Sequence, residues 1–275
     1  MELGLHCWVY CQLAMRETGE LESACRQVVA ELAPLMQEVA AAGFESIETM
    51  SNLLVGEGDG AAHQAALASS GLRFLGFSHG GPYWDPAQRD ALLDHLEAAC
   101  AVAAPLGGRH IGVSATPPPG RAKTGADYDA QAETLRCLNA LARKYELAVN
   151  LHTYERDAQD DFREVRELTS RLGQDELELG PDLAWLSKGG GDVLDFIARF
   201  GARMTFCHVR DRAASGEWAE GAGEGIEDLS AWGAALRRVG YRGPVVFEPA
   251  FPNHAPTRPL AETLRRSAAC LRQAF

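Results

Sequence analysis

The chain reads as one closed barrel of eight parallel strands, each followed by a helix: a single (β/α)8 domain over residues 1–275. Three observations predict it. Short apolar segments alternate eight times with helix-periodic segments, with no break in composition, and such alternation implies right-handed βαβ units and a parallel sheet. The length of 275 residues suits one barrel of about 250 and is long for a two-layer domain. Polar residues gather where the apolar segments end, and in a parallel barrel all strand ends of one polarity share a face. The main alternative, an open doubly wound sheet, usually carries a glycine-rich turn after its first strand. Trp8-Val9-Tyr10-Cys11 offers nothing of that kind, and the chain has no Walker or GxSxG motif.

The elements follow in order. Leu3 to Tyr10 reads as the first strand. Leu21 to Ala42 has helical apolar spacing and stops at Gly43, a good residue past a helix end. Phe44 to Thr49 is the second strand, Ala61 to Ser70 its helix, and Leu72 to Ser78 the third strand, with His79 just beyond. Pro86 suits the first turn of a helix reaching Pro105. His110 to Ser114 is the fourth strand. Pro117-Pro118-Pro119-Gly120 can be neither helix nor strand, and Asp127 to Tyr145 is the next helix. Leu147 to Leu151 is the fifth strand and leads into His152-Thr153-Tyr154-Glu155; Phe162 to Leu172 is its helix. Leu177 to Gly180, Arg203 to Val209 and Val245 to Glu248 are the last three strands. Helices are expected at Val193 to Phe200, Leu229 to Val239 and Thr257 to Phe275. The polar stretch from Arg212 to Asp228 has the length and composition of a lid or substrate-contact loop.

Composition narrows the functions. Hydrophobic residues make up 46% and charged residues 23% of the chain, as in ordinary globular proteins. No apolar run approaches the roughly 20 residues of a membrane span, and the N-terminus lacks the basic region and apolar core of a signal peptide. Seven scattered cysteines without a CxxC pair suit free, buried thiols in a reducing cytoplasm. A net charge of −12 argues against nucleic acid, which selects a basic surface. A small neutral substrate is compatible with that charge, and so is a homo-oligomer.

Three of the apolar segments end in residues that metals favour: Asp182, His208 and Glu248. Singly each has an ordinary explanation. An Asp after a strand is commonly a turn residue or helix cap, a His in an apolar run is commonly a satisfied core residue, and a Glu before proline can simply be solvated. Their repetition at one structural position in successive units favours convergence on a divalent cation, for which two carboxylates and an imidazole are suitable donors.

Gly180-Pro181-Asp182-Leu183-Ala184-Trp185-Leu186, His208-Val209-Arg210-Asp211, Gly223-Glu224-Gly225-Ile226-Glu227-Asp228, Gly240-Tyr241-Arg242-Gly243 and Phe247-Glu248 together resemble the xylose isomerase-like TIM-barrel family of sugar isomerases, epimerases and inosose dehydratase-like enzymes. Gly43-Phe44-Glu45-Ser46-Ile47-Glu48 resembles the family's second-strand signature. The resemblance implies one divalent cation, Mn²⁺ first, with Mg²⁺, Co²⁺ or Zn²⁺ as alternatives, held at the ends of strands five to eight. By position it implies Asp182, His208 and Glu248. Strand five departs from the pattern: epimerases of the family carry Glu within the strand, where this chain has Asn150. Another branch has Glu three residues after a His, and His152-Thr153-Tyr154-Glu155 matches that spacing. Glu155 is therefore the expected fourth ligand, with His152 beside it.

The chemistry implied is proton abstraction next to a chelated carbonyl and hydroxyl pair, with Glu155, Glu248 and His152 as acid–base candidates. Return of the proton gives an isomerase or epimerase of a sugar or keto-polyol; loss of a β-hydroxyl gives a lyase or dehydratase acting on a keto-inositol or keto-sugar. A DNA-repair endonuclease with three zinc ions is disfavoured by the charge, and a non-catalytic barrel by the intact Asp182, His208 and Glu248 set. His6, Trp8, Glu48, His79, Trp185, Lys188 and Arg210 are candidate sugar-binding residues on the same rim, and Tyr83, Trp84 and Phe251 candidate aromatic walls. Lys188 and Arg210 have a second explanation, as counter-charges to an acidic rim.

Overall fold

The computed structural model describes residues 1–56, 60–251 and 256–275. Eight parallel strands form one sheet: β1 (Leu3–His6), β2 (Ser46–Met50), β3 (Arg73–Gly81), β4 (His110–Ala115), β5 (Ala148–Leu151), β6 (Glu178–Leu179), β7 (Cys207–Val209) and β8 (Val245–Phe247). Their order is β6-β5-β4-β3-β2-β1-β8-β7. Parallel bridges Leu179↔Met204 and Asp182↔His208 join the two ends, so the sheet closes into a (β/α)8 barrel. Twelve α-helices lie among the described residues: α1 (Trp8–Thr18), α2 (Leu21–Ala30), α3 (Leu32–Ala42), α4 (Ser51–Leu54), α5 (Ala61–Ser70), α6 (Arg89–Ala103), α7 (Gly125–Arg143), α8 (Gln159–Arg171), α9 (Leu183–Lys188), α10 (Val193–Phe200), α11 (Leu229–Arg238) and α12 (Leu260–Ala274). No helix among the described residues is long and apolar enough to cross a membrane.

Among the boundaries that differ from the sequence expectation, two have a clear local reason. The first strand stops at His6, and Trp8 to Tyr10 open a helix, α1. Tyr10, Cys11 and Ala14 are buried, a helical spacing that the run of apolar residues disguises as a strand. The helix expected over 21–42 is broken at Glu31, where φ is −110° and ψ 10°. The break places Pro34 in the first turn of α3, where its missing N–H is not needed; in an unbroken helix it would remove an interior hydrogen bond.

The barrel interior is stacked by the two-residue period of a strand. A lower layer holds Gly4, Ser46, Leu75, Phe206 and Val246: a Cβ on Gly4 would stand 2.9 Å from Leu75 Cδ1 and 3.1 Å from Val246 Cγ2. Leu75, Phe206 and Val246 form an apolar cluster apart from the main core between strands and helices. Two residues further along the chain come His6, Glu48, His152, Asp182, His208 and Glu248. The apolar plug thus supports a polar layer at the C-terminal mouth, the face on which barrel sites are built.

One irregularity sits at that level. The register of β2 against β3 slips between Ile47 and Glu48, leaving Leu75 as the extra residue. Gly76 follows with φ +144°, and a Cβ there would come within 1.9 Å of His110 O. Only glycine fits, and such bulges commonly re-aim side chains beside functional sites.

Candidate metal centre at the barrel mouth

His208, 2% exposed at the centre of the polar layer, sets its geometry. Its Nε2 is 2.5 Å from Glu48 Oε2, and its Nδ1 is 3.0 Å from His152 Nδ1. Glu48 accepts a hydrogen bond, so the His208 proton belongs on Nε2. Two bare nitrogens cannot face each other at 3.0 Å, so either one of them carries a proton or both turn their lone pairs to a cation. Burial alone would lower the His208 pKa, but Glu48, by charge and hydrogen bond, and Glu248 and Asp182 raise it to about 9. Burial, reinforced by His208, pushes His152 well below its usual value, so His152 is neutral.

Asp182 is fully buried and has two partners. Its Oδ1 accepts from Trp185 N–H at 2.9 Å, capping α9, and its Oδ2 accepts from Arg210 Nε at 2.8 Å. Arg210 Nη2 also reaches Glu248 Oε2 at 2.7 Å. One guanidinium, 4% exposed, therefore bridges two residues expected as metal ligands. Trp185 and Trp218 cover it, with ring centroids 5.3 Å and 4.8 Å from its Cζ. Burial opposes ionisation of Glu248, but Arg210, His6 and His208 outweigh it and hold the carboxyl far below the usual range.

A cavity of about 530 Å³ opens over this layer. His6, Trp8, His79, His152, Trp185, His208, Arg210 and Glu248 line it, as do Leu21, Met50, Asn52, Ser78, Ser114 and Tyr154, which the sequence had not singled out as site residues. His6 Nδ1 accepts from Trp8 N–H at 3.1 Å, leaving its proton on Nε2, 2.9 Å from Ser78 Oγ. His79 Nδ1 lies 3.0 Å from Ser51 Oγ. Tyr154 packs edge-on to His152 with centroids 5.0 Å apart, and burial raises its pKa, so its hydroxyl stays a donor. The signal for Tyr154 in the sequence is its place in the run His152 to Glu155 that follows the fifth strand.

Other expected residues lie elsewhere. Glu155 sits in a 3-10 turn with its side chain 49% exposed, 3.6 Å from Lys188 Nζ, and neither residue lines the cavity. Lys188 instead lies over the faces of Trp185 and Trp218, at 4.9 Å and 5.0 Å. Glu48 is 2% exposed and holds His208 rather than facing the cavity. Among the aromatic candidates, Tyr83 is buried with its hydroxyl on His79 O, Trp84 donates to Thr116 O, and Phe251 is buried; none lines the cavity.

The donor set suits a divalent cation. His152, His208 and Glu248 each offer a ligand atom, all within 4.8 Å of one another. Two donors about 2.1 Å from one ion and at right angles lie about 3.0 Å apart, the separation of the two imidazole nitrogens. Charge agrees: Glu48, Asp182 and Glu248 give three negative charges against one from Arg210, an excess that one divalent ion cancels. Below them Asn150, 1% exposed, leaves both amide atoms without partners. Its Oδ1 lies beside Gly180 and Gly112; a Cβ on Gly112 would stand 3.7 Å from it and 3.5 Å from Glu48 Oε1.

Solved structures share this architecture. A D-allulose 3-epimerase from Methylomonas sp. matches with TM-score 0.77 at 19% identity, over 100% of this chain and 98% of that one. A sugar phosphate isomerase/epimerase from Parabacteroides distasonis gives 0.76 at 14%, over 99% and 94%. A 3-keto-D-glucoside 4-epimerase from E. coli gives 0.72 at 20%, over 99% of each chain. At such identities the likeness establishes the fold. No curated protein matches the sequence. A family model described as a xylose isomerase-like TIM barrel matches residues 36–274, nearly the full length, and the chain belongs to that family.

Proposed function

We propose that the protein is an isomerase or epimerase of a sugar or keto-polyol, working with one divalent cation held by His152, His208 and Glu248. The observation that carries this is the convergence of those three donors, from the ends of β5, β7 and β8, beneath an open cavity. Two imidazoles and a carboxylate favour Mn²⁺, Co²⁺ or Zn²⁺ over Mg²⁺; Mn²⁺ remains our first assignment. Asp182 is assigned to holding Arg210, and Glu155 to the outer rim.

Held there, a cation would supply Lewis-acid polarisation of a substrate carbonyl, which acidifies the adjacent C–H. Glu248 is the ionised carboxylate that lines the cavity, and we assign it the proton abstraction. Arg210 fixes its orientation. Tyr154 donates a hydrogen bond to a substrate oxygen, and Trp8 and Trp185 flank the carbon skeleton. One base that returns the proton to the neighbouring carbon makes an isomerase. Inversion at a single carbon needs a second acid on another wall, for which His79 is the candidate. All seven cysteines are free, which fits our assignment to a reducing, cytoplasmic setting.

The test is incubation of Mn²⁺-loaded protein with ketoses, aldoses and keto-inositols in D₂O, followed by NMR. Deuterium at the carbon next to the carbonyl, with an isomeric product, supports the proposal. An unsaturated product moves the assignment to the dehydratase alternative. Absence of exchange with every compound removes proton-transfer chemistry on these substrate classes.

A further inference from the structure

We infer that Glu48 is a positioning residue for the proposed metal centre: it keeps the His208 proton on Nε2 and so commits Nδ1 to the ion. The inference rests on the ligand set assigned above. Glu48 Oε2 stands 2.5 Å from His208 Nε2, and both side chains are 2% exposed. The other ring nitrogen faces His152 Nδ1 at 3.0 Å. A carboxylate on one imidazole nitrogen fixes the tautomer and ring orientation and raises the basicity of the other. The backbone is shaped for this contact. The bulge pairs Glu48 with Gly76 at the point of the register slip, and Gly112 leaves open the space beside Glu48 Oε1. His6, Glu48 and His208 also lie close enough to form a ligand group. Two features oppose that alternative. Both His6 nitrogens already have partners. A separation of 2.5 Å is a hydrogen-bond distance, shorter than the roughly 3 Å between neighbouring donors on one ion.

The test uses metal alone. Mn²⁺ affinity is measured by EPR titration for the parent, Glu48→Gln, which keeps size but loses charge, and Glu48→Leu. Metal-free melting curves report whether each variant folds. Loss of an outer-shell partner typically weakens metal binding 10–100-fold, so Glu48→Gln should bind about tenfold more weakly and Glu48→Leu more weakly still. Equal affinity in parent and folded Glu48→Gln overturns the role of Glu48 and leaves the ligand set standing. A parent that binds no Mn²⁺ removes the ligand set itself. A second measurement needs no variant: with Zn²⁺ added to ¹⁵N-histidine-labelled parent, the His208 Nδ1 resonance should take the coordinated shift while Nε2 stays protonated. Coordination through Nε2 overturns the inference.

Discussion

Arg210 carries a full charge with almost no water around it, and its two carboxylate partners come from different strands. Removing one member of a buried ion pair typically costs about 3–5 kcal/mol, because the remaining charge is left uncompensated. Arg210→Met, similar in length but neutral, strands Asp182 and Glu248 together. The metal-free variant should lose stability of that order in urea unfolding. It should also bind Mn²⁺ more tightly than the parent, because both carboxylates are then free to face the ion. A variant as stable as the parent, or one with weaker Mn²⁺ binding, contradicts this account. His208, Glu248 and Asp182 were visible in the sequence because each is a polar residue closing an apolar segment. Glu155 lies outside the cavity, which sequence spacing does not reveal because it carries no direction: past His152 the chain enters a 3-10 turn that brings Glu155 to Lys188. That Asp182 caps α9 and pairs with Arg210 follows from a short helix, Leu183–Lys188, that no apolar period announced.

The stretch from Arg212 to Asp228, expected as a lid or contact loop, is pinned to the barrel. Asp211, 1% exposed, accepts from the backbone N–H groups of Arg212 and Glu227 on Oδ1 and of Gly223 and Gly225 on Oδ2. Arg212 pairs with Glu227, and Glu220 accepts from Thr257 and Thr263. The loop does bring Trp218 over Arg210. Asp211→Asn turns an amide NH₂ toward N–H donors; with charged hydrogen bonds worth about 1.5–3 kcal/mol each, it should cost at least that much and speed amide exchange at Gly223 and Gly225. Unchanged exchange there would show that another contact anchors the loop. The turn after β5 yields a pH test. Burial first, then Glu164, raises the Asp157 pKa to about 6, against the pull of Arg156, Tyr154 N–H and Lys123. An acid whose folded pKa exceeds its unfolded value of about 3.9 holds its proton more tightly when folded. Its contribution to stability is therefore present at low pH and falls as pH rises from about 4 to about 6, by roughly 3 kcal/mol. Asp157→Asn can still accept from Tyr154 N–H and should flatten that slope, gaining on the parent above pH 6. A slope equal to the parent's would assign the dependence to other groups. Helix and strand existence was largely legible; the ends at His6 and Glu31 were not, because a capping turn and a proline in a first turn act over two or three residues while periodicity needs a longer window.

The eightfold count of strands was readable because every unit repeats the same alternation. How firmly the barrel closes was not, since a strand's hydrogen-bonded length depends on its neighbours. The seam lies between β6, with two residues, and β7, with three. It is held by the pairs Leu179↔Met204 and Asp182↔His208, with Thr205 N–H donating to Leu179 O at 3.0 Å and His208 N–H to Pro181 O at 2.9 Å. So few bonds make it the place where the barrel opens most easily. The proposed ion would tie His152 after β5 to His208 on β7 and Glu248 after β8, spanning that seam. Binding to the native state alone adds about 2.7 kcal/mol at a hundredfold excess over the dissociation constant. Mn²⁺ should therefore raise the melting temperature and slow amide exchange most at Thr205 and His208, whose bonds close the seam, with less change in β2 and β3 on the opposite wall. A stabilisation spread evenly around the barrel, or concentrated at β1 and β2, would mean that the ion sits elsewhere than between β5, β7 and β8. With His208→Ala the seam protection should vanish while the backbone pairing of β1 with β2 and β8 persists, because those strands share longer registers that do not depend on the ion.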